Sequence, residues 1–411
     1  NGLPLAEYIN AIEIVNPMHR LWSDGRWNKL TMAHGCYWGK CTFCDTTLPY
    51  IKHYEPLTAA ILVNRMEEII AQTGVTGFHF VDEAAPPVLM KSVALEIIKR
   101  KLVVTWWANI RFEKSFTRDT CLLLKESGLI GVSGGLEVAS DRLLALINKG
   151  ITVAQVAKVN KHFTQAGIMV HAYLMYGFPT QTNQETIDSL EMVRQMFALG
   201  VLQSAFWHLF TMTAHSPVGL DPEKFKVEKV QEHPILFAEN DVEHIDTTGG
   251  EHEIFAFGLK KSLFNYMQGI GLQEPLHKWF EHKVPKTSIP PNYIENLLLQ
   301  PDTDVAKPTH KVSWLGTTLP STQEVQTKKG MSRTMLKIPL LHKKTSLEIL
   351  VPEAQGQWLL QLLPRLVPGM QALLSVADIE ANYNEAGLEY FDLFWFNKPI
   401  NQLHKVGLLH W

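Results

Sequence analysis

The sequence predicts an α/β fold in which a parallel sheet forms an incomplete barrel. Between about Leu30 and Phe210, short β-rich runs alternate with segments whose apolar residues recur every three or four positions. This alternation is typical of repeated β-α units around a parallel sheet. Six strand-like runs are present, fewer than the eight of a closed (β/α)8 barrel. The predicted fold is therefore a partial (β/α)6 TIM-like barrel.

The six predicted strands follow one another along this region. In order, they are NKLTMAHG, GFHFVDEA, VVTWWANI, LIGVSGGLEV, IMVHAYLMYGF and VLQSAFWHLF. In the helical runs between them, Thr117 and Ser140 are placed as N-cap residues, and Gly128 and Gly150 mark helix ends. Because functional residues of parallel barrels lie where strands end, the loops after these strands are the places to look for a site.

We expect five segments along the chain. Residues 1–24 form a lead-in, 25–225 the partial barrel, 226–300 a helical extension, 301–330 a linker, and 331–411 a small C-terminal α+β domain. The linker is predicted from its Pro, Asp, Thr and Lys content. In the last segment, MLKIPLL and SLEILVP predict strands, EAQGQWLLQLLPRL predicts a helix, and the aromatic run YFDLFWFN predicts a strand that belongs to the core.

Composition excludes several classes of protein. The chain has 411 residues, 46% of them hydrophobic, and a formal net charge of -3, so nothing indicates a nucleic-acid partner. No apolar run reaches the roughly 20 residues of a membrane-spanning helix, and NGLPLAEYIN lacks the features of a signal peptide. We therefore expect a cytoplasmic protein with no membrane partner. Because the chain opens on Asn1 instead of Met, we also expect a cut or processed piece.

Three of the four cysteines lie close together. Residues 34–45 read HGCYWGKCTFCD, which places Cys36, Cys41 and Cys44 in a C-x4-C-x2-C pattern after the first predicted strand. This is not the spread of a disulfide framework, and thiolates are suitable ligands for iron-sulfur clusters or zinc. Three thiolates leave one iron of a four-iron cluster without a protein ligand. An open metal position of this kind can bind a small molecule.

A structural zinc site is the alternative. His34 or His53 would supply the fourth ligand, and the chain would then be a zinc-stabilised, non-enzymatic interaction module whose C-terminal domain binds a partner. No second Cys or His pair occurs at zinc-finger spacing, which favours the cluster. The identity of the metal distinguishes the two hypotheses.

The phrase GCYWGKCTFCD and the motifs over roughly residues 25–225 resemble the radical S-adenosylmethionine (SAM) superfamily. The usual signature of that family is C-x3-C-x2-C, and the longer first gap here resembles its cobalamin-associated members. The resemblance implies an enzyme with a 4Fe-4S cluster at Cys36, Cys41 and Cys44, where SAM is cleaved reductively to a 5'-deoxyadenosyl radical. It also implies an electron donor such as a flavodoxin or ferredoxin, and an unidentified substrate that undergoes methyl transfer, rearrangement or hydrogen abstraction.

The same resemblance implies residues near the polar end of SAM. Asp82 and Glu83, in HFVDEAAPP, would lie near its amino group, where carboxylates strengthen hydrogen bonds to an ammonium. The alternative for this pair is a solvated loop. Asn109 and Arg111, in WWANIRFE, would reach the SAM carboxylate or the substrate, and a structural ion pair is the alternative for Arg111.

Further candidates follow the later strands. The segment GGLEVASDRLLALINKGIT makes Glu137 and Ser140 candidates for the ribose hydroxyls, although Ser140 also fits a helix cap. In MYGFPTQTNQET, Gly177 would shape a turn that passes the adenine. The sequence contains no D-x-H-x-x-G pattern, so cobalamin would be supplied by a domain absent from this chain. A radical enzyme that modifies tRNA is a further alternative, against which the near-neutral charge argues.

Overall fold

The structure is a computed structural model, and it describes residues 27–230, 240–301, 306–328, 331–369 and 372–411. The predicted lead-in, residues 1–24, lies outside the described residues. The described residues up to 93 and from 103 to 301 form one compact unit, and residues 94–102 and those from 302 onward form a second. The helix Pro87–Lys99 begins in the first unit and ends in the second.

A parallel sheet is the centre of the first unit. The strands described in this unit are β1 (Asn28–Leu30), β2 (Ala33–His34), β3 (Glu55–Pro56), β4 (Gly77–Phe80), β5 (Thr105–Ile110), β6 (Leu129–Glu137), β7 (Met169–Tyr176), β8 (Ser204–Leu209), β9 (Val227–Lys229) and β10 (His244–Asp246). Six of them form the sheet in the order β1-β4-β5-β6-β7-β8, and all of these pairs are parallel. The six predicted strands are thus present, and the predicted fold class is confirmed.

The sheet is open. β1 and β8 stand at its two edges, and in the described part of the chain no ladder joins them, so the barrel is partial. Two small antiparallel pairs accompany the sheet. β2 pairs with β3 next to the cysteines, and β9 pairs with β10 within residues 226–300, the segment that we expected to be a mostly helical extension.

Helices connect the strands in sequence order. The α-helices described up to residue 301 are Pro49–Lys52, Ala59–Thr73, Pro87–Lys99, Arg118–Glu126, Asp141–Leu146, Val153–Gln165, Asn183–Ala198, Pro217–Leu220, Ala256–Met267 and Tyr293–Leu299. The Thr117 and Ser140 side chains cap their helices as the sequence predicts, because each accepts a hydrogen bond from a backbone amide in the first turn. None of the described helices is both long enough and apolar enough to cross a membrane.

The two faces of the sheet differ in character. In β4, Phe78 and Phe80 are fully buried, and His79 between them points to the opposite face. The ladder register places His79 beside Lys29 of β1 and Trp107 of β5. Lys29 Nζ lies 2.7 Å from His79 Nδ1, and the His79 and Trp107 rings stack with centroids 3.3 Å apart. One face is therefore apolar, and the other carries polar and aromatic side chains.

The second unit is an α+β arrangement. Its described strands are β11 (Val312–Trp314), β12 (Thr317–Thr318), β13 (Thr322–Lys328), β14 (Met331–His342), β15 (Thr345–Pro352) and β16 (Leu408–His410). Its described α-helices are Glu353–Leu362, Val376–Glu385, Phe391–Trp395 and Lys398–Asn401. β14 pairs with β12, β13 and β15, and β11 pairs with β16. The core of this unit contains residues of both strands and helices.

Two expectations for this region are corrected. The segment 301–330, expected to be a linker, contains β11, β12 and β13 in its described part. Its polar composition has a physical reason, because the described side chains from Thr322 to Gln326 are exposed on their strand. The aromatic run YFDLFWFN forms a helix, Phe391–Trp395, instead of a strand. Its predicted place in the core is nevertheless right, since Phe391, Phe394 and Trp395 are buried at helical spacing.

Candidate metal centre

The three clustered cysteines lie on one loop at the end of the first sheet strand. Cys41 is buried, Cys36 and Cys44 are half-buried, and all three are free thiols. The loop begins at Gly35, whose φ of +71° suits glycine, and a Cβ at this position would lie 2.2 Å from the His53 carbonyl oxygen. Cys36 then donates its backbone N–H to the Ile51 carbonyl at 3.0 Å. The helix Pro49–Lys52 and the residues after it thus fix the first cysteine.

The turn after the helix Asp141–Leu146 supports the middle of the loop. Thr42 donates its backbone N–H to the Ile147 carbonyl at 2.8 Å, and its hydroxyl donates to the Leu146 carbonyl at 3.2 Å. Trp38 Nε1 donates to the Asn148 carbonyl at 2.9 Å, and Asn148 Nδ2 donates back to the Lys40 carbonyl at 3.1 Å. The chain around Cys41 is therefore held by backbone and side-chain hydrogen bonds to this turn.

The far end of the loop is held by a second segment. The two Asp45 carboxylate oxygens accept hydrogen bonds from the Thr213 hydroxyl at 2.6 Å and from Asn240 Nδ2 at 2.7 Å. Phe43, the residue before Cys44, packs against a buried apolar cluster that includes Phe178 and Phe210. The middle and the far end of the loop are thus attached to residues far away in the sequence, so the cysteine positions depend on several segments of the first unit.

The thiols are electrostatically prepared to act as thiolates. Cys44 donates a hydrogen bond to the Cys41 sulfur, which lowers the pKa of Cys41 to about 7 against the opposing effect of burial, with the cations Lys149 and Arg111 adding to the decrease. The same hydrogen bond and burial raise the pKa of Cys44. Three free thiols, two of them adjacent and close to buried cations, fit a metal centre bound through thiolates.

A buried ion pair lies next to the cysteines. Lys149 Nζ lies 2.6 Å from Glu137 Oε1, and both side chains are about nine-tenths buried. Lys149 Nζ also lies 5.5 Å from the centroid of the Phe43 ring. The sequence analysis did not identify Lys149, because a lysine before a helix-ending glycine has no local signal of burial. Glu137, which was expected to bind ribose, accepts a hydrogen bond from this lysine.

The sequence of this unit matches a known family. Residues 30–193 match the radical SAM superfamily. The chain contains a radical SAM domain. The match begins in β1, spans the cysteine loop and ends in the helix Asn183–Ala198. It confirms the predicted resemblance to this superfamily over these residues.

Individual relatives are similar to part of the chain at low identity. An uncharacterized methyltransferase of Pyrococcus horikoshii is 26% identical over 202 residues, which are 47% of this chain and 43% of the relative. An anaerobic magnesium-protoporphyrin IX monomethyl ester cyclase of Rubrivivax gelatinosus is 28% identical over 166 residues, or 39% of this chain and 29% of the relative. The matched region thus spans less than half the length of either relative.

Among solved structures, a radical SAM methyltransferase from Kitasatospora setae with bound cobalamin and a [4Fe-4S] cluster aligns with a TM-score of 0.46 and 16% identity, covering 59% of this chain and 52% of that chain.

Within the radical SAM domain, Asp82 and Glu83 are in different environments. Asp82 is buried, and its carboxylate accepts hydrogen bonds from the backbone amides of Met32 at 2.9 Å and Ala33 at 2.8 Å. Burial raises the pKa of Asp82 despite these hydrogen bonds. Glu83 is exposed. The structure therefore shows Asp82 holding the start of the cysteine loop and leaves the Glu83 carboxylate accessible.

Asn109 and Arg111 lie at the carboxyl end of β5 in the radical SAM domain. Asn109 Nδ2 donates to the Asp82 carbonyl at 3.2 Å, and the Asn109 side chain is also hydrogen-bonded to His79. Arg111 is buried, its guanidinium lies 3.8 Å from the Trp38 ring centroid, and its Nη2 donates to the Lys149 carbonyl. Arg111 thus joins the cysteine loop to the turn that supports it. Its Nε also lies 3.4 Å from Glu113 Oε1, so the expected alternative, a structural ion pair, is present, while Nη1 lacks a hydrogen-bond partner.

Ser140 and Gly177 follow β6 and β7 of the radical SAM domain. The Ser140 hydroxyl caps the helix Asp141–Leu146 and donates to Glu185 Oε1 at 3.1 Å, so the capping alternative describes its contacts. Gly177 has a φ of +81°, and its N–H donates to Gln181 Oε1 at 2.9 Å. A Cβ on Gly177 would lie 2.8 Å from the Leu209 side chain, so this turn requires glycine.

Proposed function

We propose that this chain is a radical SAM enzyme whose 4Fe-4S cluster is bound by Cys36, Cys41 and Cys44. One observation supports this most strongly. Within the matched domain, three free thiols lie on a loop that is already anchored by hydrogen bonds, and one of them has a pKa of about 7. When bound, such a cluster with one iron open to SAM would supply the electron that cleaves the SAM sulfonium.

The surrounding residues have separate roles in this proposal. The thiols of the three cysteines lose their protons on metal binding, and the nearby cations Lys149 and Arg111 stabilise the negative charge that this step leaves on Cys41. Asp82 positions the backbone at the start of the loop through the Met32 and Ala33 amides. These hydrogen bonds hold the backbone from which the cysteine loop begins.

The proposed SAM contacts belong to the residues that remain accessible or have atoms without hydrogen-bond partners. We assign the amino group of SAM to Glu83, because its carboxylate is exposed beside Asp82. Arg111 Nη1 has no hydrogen-bond partner and can donate to the SAM carboxylate. Asn109, at the same strand end, is proposed to contact the carboxylate or the substrate. Ser140 and Gly177 are proposed to shape the ribose and adenine sides. Because Glu137 is paired with Lys149, we propose a positioning role for it.

Methyl transfer is the proposed outcome of the reaction. The uncharacterized methyltransferase of Pyrococcus horikoshii is similar to 47% of this chain, which favours a methyl group as the transferred unit. Cobalamin is a proposed second cofactor, carried by a domain that this sequence does not contain. A low-potential flavodoxin or ferredoxin is the proposed electron donor.

Anaerobic reconstitution with iron and sulfide tests the proposal. We expect about four iron ions per wild-type chain, and formation of 5'-deoxyadenosine when dithionite and SAM are added. Cys41→Ala should lose both the iron and the product. The matched control is Cys121→Ala, because Cys121 is fully buried on the helix Arg118–Glu126, outside the loop. This control should keep both.

Metal analysis of the same samples separates the two metal hypotheses. A wild-type protein that binds about one zinc ion, takes up no iron and forms no 5'-deoxyadenosine would contradict the proposal and support the zinc-stabilised interaction module.

A further inference from the structure

We infer that Lys149 is the buried counter-charge of the three-cysteine centre, that Glu137 holds it there, and that this pair sets the reduction potential of the cluster. The inference rests on the proposed function, since it requires a cluster at Cys36, Cys41 and Cys44. It goes beyond that function by assigning an electrostatic role to two residues that are not metal ligands.

Three contacts fix the position of Lys149, two through its ammonium and one through its backbone. Its side chain pairs with Glu137 Oε1 at 2.6 Å. Its backbone carbonyl accepts a hydrogen bond from Arg111 Nη2. Its ammonium lies 5.5 Å from the centroid of the Phe43 ring, and Phe43 lies between Cys41 and Cys44 in the chain. A cation is thus held beside the cysteine loop, and solvent has little access because Lys149 is only 7% exposed.

A contribution to folding stability does not explain why this ion pair is buried. Burying two charges costs desolvation energy that their attraction seldom repays. The backbone also accommodates the pair at a cost, because Glu137 has a φ of +62°, which is unfavourable for a side chain with a Cβ. A Cβ on Gly135 would lie 2.0 Å from Glu137 Oε1 and 2.6 Å from Lys149 Nζ. Local strain that is built around buried charges points to a functional role.

The charge of Lys149 is maintained at neutral pH. Burial alone would lower its pKa, but Glu137 and the thiols of Cys41 and Cys44 outweigh burial and raise the pKa above its ordinary value. One-electron reduction adds one negative charge to a cluster, and the electron comes from dithionite or a low-potential donor protein. A fixed cation nearby stabilises the reduced form, whereas a fixed anion destabilises it.

The test uses two substitutions with opposite expected effects in the full-length chain. Lys149→Met removes the cation and should lower the reduction potential, so that the reduced-to-oxidised ratio at a fixed potential falls about tenfold, or about 59 mV for a one-electron couple. Glu137→Gln leaves the cation without its anion and should raise the potential. The measurement is a dithionite titration of the reconstituted protein, followed by electron paramagnetic resonance at known potentials.

A matched control tests whether the shift in reduction potential requires a lysine at position 149 or follows from the loss of any lysine. Lys158→Met removes a half-buried lysine on the helix Val153–Gln165 and should leave the potential within about 10 mV of wild type. A merely structural role of the pair would move both variants in the same direction or reduce their iron content equally. Shifts of equal sign, or no shift in either variant, would overturn the inference.

The experiment still decides the question if one variant binds no iron. If Lys149→Met takes up no iron, Glu137→Gln decides alone, since a raised potential supports the inference and an unchanged or lowered potential refutes it. If the wild-type protein itself takes up no iron, the proposed function fails first, and the inference fails with it. Circular dichroism of each variant before reconstitution shows that it is folded.

Discussion

At the scale of single residues, the acidic side chains of Asp82 and Glu137, at two strand ends, contact other groups of the same chain. The Asp82 carboxylate accepts hydrogen bonds from two consecutive backbone amides, Met32 and Ala33, directly before the cysteine loop. Glu137 is paired with Lys149. The Asp82 carboxylate therefore anchors the backbone before the cysteine loop, the Glu137 carboxylate positions Lys149, and only Glu83 in this group is exposed.

Replacing Asp82 by Asn tests this role. The amide keeps one acceptor oxygen but directs an NH2 group at a backbone N–H, so we expect the free energy of unfolding to fall by about 1–3 kcal/mol. Urea denaturation of the metal-free protein measures it. Glu83→Gln is the control and should change the free energy of unfolding by less than about 0.5 kcal/mol, because Glu83 is exposed. Equal effects of the two substitutions would refute the role of Asp82.

The sequence predicted which residues lie near the site better than what they contact. Strand-end positions follow from local periodicity, so Asp82, Asn109 and Glu137 were placed correctly at the ends of strands. Their partners depend on backbone amides and on a lysine from other segments, which local patterns do not specify. The burial of Lys149 in particular follows from the way the turn after the helix Asp141–Leu146 folds back toward the cysteine loop.

At the scale of elements, one turn supports the cysteine loop, and Gly150 is essential to their contact. Its φ is +71°, and a Cβ there would lie 2.3 Å from the Trp38 ring. We expect Gly150→Ala to displace Trp38 and to lower the free energy of unfolding by about 1–3 kcal/mol through overpacking. This effect adds to the cost of placing a residue with a Cβ at a positive φ. Iron uptake during reconstitution should fall in parallel.

Gly200→Ala is the control, because it measures only the cost of placing a residue with a Cβ at a positive φ. Gly200 has a similar φ of +68°, but no atom lies within 4 Å of a Cβ placed there. The control should therefore cost only about 1 kcal/mol and should leave iron uptake unchanged. If both alanine variants bind iron like the wild type, the packing of Trp38 on this turn does not matter for the metal centre.

A second contact between elements joins the turn after β7 to the helix Asp141–Leu146. Arg142 donates to both Glu185 carboxylate oxygens, at 2.8 and 2.7 Å, and to the Thr180 carbonyl at 3.0 Å. Burial alone would raise the pKa of Glu185, but Arg142 and the Thr182 amide outweigh burial and hold this pKa below its ordinary value. The stabilisation is therefore present above a pH of about 4.3 and is lost as the pH falls through the lower pKa of the folded state.

We expect Arg142→Met to reduce the free energy of unfolding at neutral pH by about 0.5–1 kcal/mol, a small value because Arg142 is half-exposed. The difference from wild type should shrink as the pH is lowered below about 4. Urea denaturation across this pH range measures it, and Glu185→Gln provides the second arm of a double-mutant cycle. A difference that stays constant with pH would show that the charge of Glu185 is not involved.

At the same scale, the aromatic run near the C-terminus shows where local reasoning fails. YFDLFWFN contains residues that favour strands, and propensity alone predicts a strand. Its buried positions, Phe391, Phe394 and Trp395, follow helical spacing. The Tyr383 ring stacks on Phe394 at 5.6 Å. Packing against a neighbouring helix thus decides the secondary structure, and that information is not local.

At the scale of the whole molecule, each unit has a core of its own. The second unit contains a large buried cluster that includes Trp358, Leu359 and Trp395. We expect Leu359→Ala to destabilise this unit by about 2–5 kcal/mol and to leave iron uptake at the cysteine loop unchanged. Hydrogen exchange measured by mass spectrometry resolves peptides of the two units and gives the free energy of opening of each.

Leu143→Ala is the matched substitution in the first unit. Leu143 is fully buried in the apolar cluster against which Phe43 packs, so this variant should lose iron uptake as well as stability. If Leu359→Ala lowered iron uptake as strongly as Leu143→Ala, the two units would not be independent in loading the metal.

The anchoring of the cysteine loop also sets an order of events during synthesis of the chain. Asp45 is bonded to Thr213 and Asn240, which are 168 and 195 residues further along the sequence. A ribosome must therefore have made the chain as far as Asn240 before the ligand loop can reach its final geometry, and contacts of such long range form slowly. We expect the nascent chain to expose reactive thiols until then, which makes metal insertion a step that follows translation of the first unit.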